Sequence, residues 1–206
     1  MIPNLSYQKV QQVYNQKGFK FFDNGVFNVN LFFIREDNVF ENTLSDTMGI
    51  CYLDDNNRQQ VLTTPATTKA GVSPMVFNKA LTPNAEGIAV VKPGYYPSTW
   101  QFTDSYVGWL AYPYFQQVKP ITVMRDGVDD GVIHDSVEDT GLFGINIHRM
   151  GNVGIINSIL GNWSEGCMGT YEPYLKTYLP IIREAVKRYG NLFSVAVFEK
   201  ADFQLT

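Results

Sequence analysis

The sequence predicts a mainly β fold with a helix near each end, and three observations carry that expectation. Fourteen Phe, twelve Tyr and three Trp, alongside many Val, Ile and Thr, favour sheet over helix. From Phe19 to about Leu110 short apolar runs alternate with turn residues. Helical spacing of apolar residues appears only near the two ends.

Taken in order, Ser6 is placed to cap a helix over residues 7–17, with Val10, Val13, Tyr14 and Lys17 on one side and Gly18 as its stop. Residues 29–35 form a dense apolar run ended by Glu36-Asp37-Asn38. Residues 48–53 run into Asp54-Asp55-Asn56-Asn57 and resume at 60–63, the pattern of a hairpin. Cys51 lies inside that apolar strand, so it is expected to be an inert core thiol. Residues 87–91, with a turn at 93–96, then 106–110 and 121–124 supply further strands, and 126–139 turns acidic. Near the other end, Pro173 or Pro180 can open a helix, because proline fits a first turn and disrupts an interior. Ile182, Ala185, Val186 and Tyr189 follow at helical spacing, Gly190 stops it, and 192–198 is a last strand. With no repeat, low-complexity tract or linker, residues 1–206 read as one domain: a helical segment over 1–20, then the main fold over about 29–198.

Composition also excludes function classes. The net charge is −4 and no Lys/Arg-rich run occurs, so the electrostatic footprint of a nucleic-acid binder is missing. No run of about 18 apolar residues suggests membrane insertion, and the amino terminus lacks the basic-then-apolar pattern of a secretory signal. Two cysteines are too few for a disulfide-stapled scaffold, and two unpaired thiols with different roles are expected. No zinc-ligand spacing is present, so no metal and no cofactor are expected.

Two histidines and two cysteines leave a short list of nucleophile–base pairs. His148 closes the segment 144–148, and Cys167 closes Asn162-Trp163-Ser164-Glu165-Gly166-Cys167. The reactive species of a cysteine is the thiolate, which a neighbouring imidazole generates by taking the proton. Gly166 admits a carbonyl close to the backbone N–H groups of 166 and 167, an oxyanion hole that Ser164 would orient. Residue types alone leave open the plainer alternative of a core thiol and a hydrogen-bonded histidine.

His148, then a loop, then Ser164-x-Gly166-Cys167, resembles in order and spacing the motif of the L,D-transpeptidases that act on bacterial peptidoglycan. Residues 62–68, 87–96, Arg125-Asp126 and Phe143-Gly144-Ile145-Asn146-Ile147-His148 extend the likeness to a subgroup found in phage and bacterial genomes, over roughly 29–198. Papain-like peptidases place Cys before His, and a sortase needs a longer interval. The resemblance implies a β-sandwich of L,D-transpeptidase type and cysteine-dependent acyl transfer on peptidoglycan stem peptides. Cys167 is then the nucleophile, His148 the base, and Ser164 and Gly166 the oxyanion-hole residues. Asn146 and Trp163 would line the substrate's place. Arg149 stands where the family commonly has Gly, and Gly169 where it has Arg, so Arg149 is expected to take over the binding of substrate carboxylates. Hydrolysis in a lysin-type endopeptidase or carboxypeptidase, or a catalytically inactive virion structural or wall-binding protein, are the alternatives. A phage-encoded protein would reach the wall as a virion component, with other virion proteins as partners, or from the host cytoplasm at lysis.

The acidic run 126–135 resembles part of a calcium loop, but Val128 occupies a ligand position and no Glu stands twelfth. It reads as a solvated turn with an exposed His134. The aromatics among 95–114 read mainly as packing residues.

Overall fold

The computed structural model describes residues 5–37, 43–69, 87–107, 111–126, 137–151 and 166–204. The fold is mainly β, with 43% of the described residues in strands, about twice the usual share, and 21% helical. Helix α1 (Tyr7–Gln16) starts where Ser6 Oγ accepts the Lys9 N–H at 3.2 Å. It buries Tyr7, Val10, Val13 and Tyr14, whereas Lys17 points outward to Asp202.

Eight strands form the large sheet: β1 (Asn30–Arg35), β2 (Asp46–Leu53), β3 (Gln59–Ala66), β5 (Gly94–Thr103), β6 (Tyr114–Gln117), β9 (Ile147–Arg149), β10 (Met168–Thr170) and β11 (Leu192–Glu199). Their order is β10-β9-β6-β5-β11-β1-β2-β3. Strands β4 (Ile88–Val91), β7 (Ile121–Asp126) and β8 (Val137–Gly141) form a smaller sheet. The expected hairpin is β2–β3, whose turn is held by Asp54 Oδ1 accepting the N–H groups of Asn56 and Arg58.

Every residue of β1 is buried, because the strand has a hydrophobic partner on each face. Leu31 and Phe33 join a core cluster with Val195, Trp100, Phe115 and the inner side of helix α2 (Glu172–Tyr189). Phe32 and Ile34 face the opposite way and meet α1 together with Cys51, Ala196 and Phe198. Helix α2 begins at Glu172 with Pro173 in its first turn, while Pro180 lies exposed inside the helix. Gly190, with φ 85°, ends it by donating to the Val186 carbonyl.

Two expectations fail locally. Tyr106 and Val107 are exposed bends, not strand: the Tyr106 hydroxyl pairs with Arg183 and its ring meets Tyr112 edge-on. The rest of that run, 108–110, lies outside the described residues. Within the acidic stretch, 137–141 is strand, paired antiparallel with β7 through a ladder that tolerates its polar side chains at a sheet edge.

The two ends of the large sheet's strand order meet. Thr67, just past β3, bridges Gly169 of β10 through N–H···O bonds of 2.8 and 3.0 Å. A buried ionic cluster holds the segment that makes this bridge. Asp46 Oδ2 accepts from the Thr68 N–H and hydroxyl at 2.8 and 2.7 Å, and Lys69 Nζ lies 3.5 Å from Oδ1. Arg35 donates to Thr68 Oγ1 and to the Val91 carbonyl. Asp46 and Lys69 are wholly buried, and burial lowers the Lys69 ammonium pKa below its ordinary range although Asp46 opposes the shift.

Candidate active site

The site grows from the short parallel pair β9–β10, which aligns Met168 with Ile147, Gly169 with His148 and Thr170 with Arg149. Cys167 stands one residue before β10, and the Met168 N–H reaches back to the Asn146 carbonyl at 3.0 Å. The sulfur therefore lies against the segment that leads into His148. Asn146 N–H donates to Cys167 Sγ at 3.4 Å, and Sγ lies 3.7 Å from the Gly144 carbonyl oxygen. The first contact suits a thiolate, which accepts; the second suits a thiol, which donates. Both protonation states of the sulfur have a backbone partner.

His148 is two residues beyond Asn146, an offset of about 7 Å along a strand. Its ring is 2% exposed, and Nδ1 lies 2.6 Å from the Arg149 carbonyl oxygen. A carbonyl only accepts, so Nδ1 carries the proton and the neutral ring keeps its lone pair on Nε2. Burial lowers the His148 pKa below its ordinary value; the bond to the Arg149 carbonyl works against that shift, and the Arg149 charge adds to it. The imidazole is thus held neutral, the form a general base requires.

Cys167 packs beside Met150 and Tyr171. Met150, two residues past His148, belongs to the same face by strand alternation. Ile147 and Arg149 point the other way. Ile147 enters the main core, and the Arg149 guanidinium lies 5.7 Å from the centre of the Tyr112 ring, whose hydroxyl contacts Glu172. The structure thus brings the Cys167 sulfur against the backbone of Gly144 and Asn146, places His148 two residues further along the neighbouring strand, and directs Arg149 to the opposite face. Asn146 has its Oδ1 engaged by the Gln117 N–H at 3.0 Å.

Gly166 has a packing reason to be glycine. Its φ is 124°, and a Cβ there would lie 2.4 Å from the Ala89 carbonyl oxygen. The space beside its Cα is therefore occupied by β4. Gly169 is similar, since a Cβ would fall 1.9 Å from the His148 carbonyl oxygen. The missing side chain at 169 lets β10 lie against β9. Ser164, Trp163 and Glu165 lie outside the described residues, as does the acidic run with His134.

The two thiols are both free. Cys51 is fully buried, and burial pushes its pKa far up, so it is the inert one. Among the described residues no group of His, Cys, Asp and Glu side chains comes together to hold a metal ion. None of the described helices is long and apolar enough to cross a membrane.

Two residues shape the segment that meets the sulfur: Gln117, which the sequence did not single out, and Trp100, which it read as a packing residue. Gln117, 6% exposed, accepts at Oε1 from the N–H groups of Phe143 and Ile145 at 3.1 and 3.0 Å. Its Nε2 donates to the Lys119 and Gly141 carbonyls. Trp100, fully buried, donates from Nε1 to the Ile145 carbonyl at 2.8 Å. Compared with protein-family models and with curated proteins, the chain matches none.

Proposed function

We propose that this protein is a cysteine-dependent acyltransferase of L,D-transpeptidase type acting on peptidoglycan stem peptides. The observation that carries the reading is the meeting of the Cys167 sulfur with the Gly144 carbonyl and the Asn146 N–H, the latter two residues along the chain from a histidine whose Nδ1 is fixed by a carbonyl. His148 Nε2 takes the S–H proton as sulfur attacks a peptide carbonyl next to a D-centre. The electron pair moves onto the carbonyl oxygen, and the N–H groups of Gly166 and Cys167 would donate hydrogen bonds to that oxyanion. Collapse expels the amine, which takes the proton from His148, and leaves a thioester. An amine acceptor then forms a cross-link and regenerates the thiol, whereas water gives hydrolysis of the lysin type.

A second reading has its own support. Arg149 faces away from the sulfur and Gly169 has no side chain, so neither supplies a cation beside Cys167 for the substrate's carboxylates. A wall-binding or virion structural protein with this arrangement would recognise peptidoglycan without turning it over. In either case the place of action is the bacterial cell wall, and recovery of the protein in purified phage particles would support the virion route.

Mass spectrometry after incubation with a carbapenem separates the readings, because such a β-lactam acylates a nucleophilic cysteine by the same attack. The expected result is a single adduct on the wild-type protein that disappears in Cys167→Ala. Absence of an adduct, together with retained binding to sacculi, would replace the enzyme by the binding protein.

A further inference from the structure

The two backbone groups that meet the Cys167 sulfur belong to consecutive peptide units, and each unit is held from behind by a buried side chain. A trans peptide is planar, with its C=O and N–H pointing in opposite directions. The unit between Gly144 and Ile145 has its N–H bound to Gln117 Oε1, so its carbonyl is turned the other way, toward Sγ. The unit between Ile145 and Asn146 has its carbonyl bound to Trp100 Nε1, so its N–H is turned toward Sγ. Gly144, with φ 72°, supplies the left-handed residue that lets the chain enter this arrangement.

We propose that Gln117 and Trp100 are positioning residues of the Cys167 site, fixing from the rear the donor that meets the thiolate and the acceptor that meets the thiol. The inference rests on Cys167 being the nucleophile. The geometry favours a positioning role over simple packing. Gln117 makes four side-chain hydrogen bonds, all to backbone, and two of its N–H partners flank Gly144. Its own N–H holds the Asn146 side chain as well, so one residue at the end of β6 governs both sides of the turn. Trp100 sits opposite Gln117 in the β5–β6 register, so the two clamps are cross-strand neighbours.

The test is the pH dependence of Cys167 alkylation by iodoacetamide, read by peptide mass spectrometry so that Cys51 is scored separately. Trp100→Phe keeps an aromatic ring in the core and deletes the Nε1 donor. Gln117→Met keeps an unbranched chain of similar length and deletes both amide groups. Trp100→Phe, which frees the donor to the thiolate, is expected to move the midpoint of the rate profile to higher pH and to slow alkylation at neutral pH about tenfold, the worth of one hydrogen bond to an anion. Gln117→Met, which frees the acceptor that stabilises the thiol, is expected to move the midpoint to lower pH. A packing role alone would lower the melting temperature and leave that midpoint in place, which would overturn the proposal. A third readout needs no variant. In the wild-type protein the Asn146 amide proton is expected to titrate together with the Cys167 thiol in NMR spectra, and an invariant amide would also overturn it. Failure of the enzymatic reading looks different: no carbapenem adduct on wild type, with the variants still shifting the alkylation profile.

Discussion

His148 links burial to two measurable pH effects. Its ring is neutral inside the protein, with its pKa lowered by loss of solvation. A histidine whose folded pKa is depressed binds fewer protons when folded than when unfolded, over the interval between the two values. Its contribution to stability is therefore complete above the ordinary value near 6.5. It is lost as pH falls through the folded value. Urea denaturation followed from pH 7.5 down to 4.5 should show falling stability for wild type and a flatter profile for His148→Gln. The same depression should keep any Cys167-dependent acylation running below the pH at which a solvated histidine would protonate. Cys167 and His148 were singled out in the sequence because so few residues of those types exist, and the β9–β10 register places their two segments side by side. The contrast between the thiols was legible too, since Cys51 sits in an unbroken apolar strand. Gln117 and Trp100 were not, because a glutamine at a strand end and an aromatic in a strand carry no local mark of a contact 28 or 45 residues away. Arg149 was expected at the substrate, and strand alternation beside a buried His148 sends it to the opposite face.

Among the elements, α1 and the β2–β3 hairpin were readable because their signals are local: a serine cap, and an Asx turn between apolar runs. Strand β8 was hidden by its charges and is defined only by its ladder to β7. The reverse error occurred at 106–107, where an apolar composition suggested a strand and the Tyr106 hydroxyl and ring are used in a loop. Strand pairing also sets a test at Gly49 of β2, which lies opposite Phe32 of β1. A Cβ at 49 would come within 2.2 Å of the Phe32 ring, which lies across the glycine. Gly49→Ala is expected to cost about 1–3 kcal/mol as an overpacked core, measured by urea unfolding. Adding Phe32→Leu should recover part of that loss, and strict additivity of the two changes would contradict the contact.

For the whole molecule, the ionic cluster around Asp46 connects stability to the site. It holds residues 66–69, which bridge Gly169 two positions beyond the sulfur-bearing Cys167. Asp46→Ala removes the carboxylate that pairs with the buried Lys69 and accepts both bonds from Thr68, and is expected to cost about 3–5 kcal/mol. Its effect should appear in hydrogen exchange as faster opening of β10 and β3 than of β11. Uniform loss of protection would deny the cluster a local role. The sheet order adds a last point, one that concerns biosynthesis. Strand β11 lies between β5 and β1, so the half of the sheet next to Cys167 joins the half next to Thr67 through β11 on one side and through the Thr67–Gly169 bridge on the other. On the ribosome, both halves must wait for residues 192–199 before they can close on each other. A nascent chain thus carries the Cys167 sulfur out of the ribosome before β11 has joined the strands on either side of it.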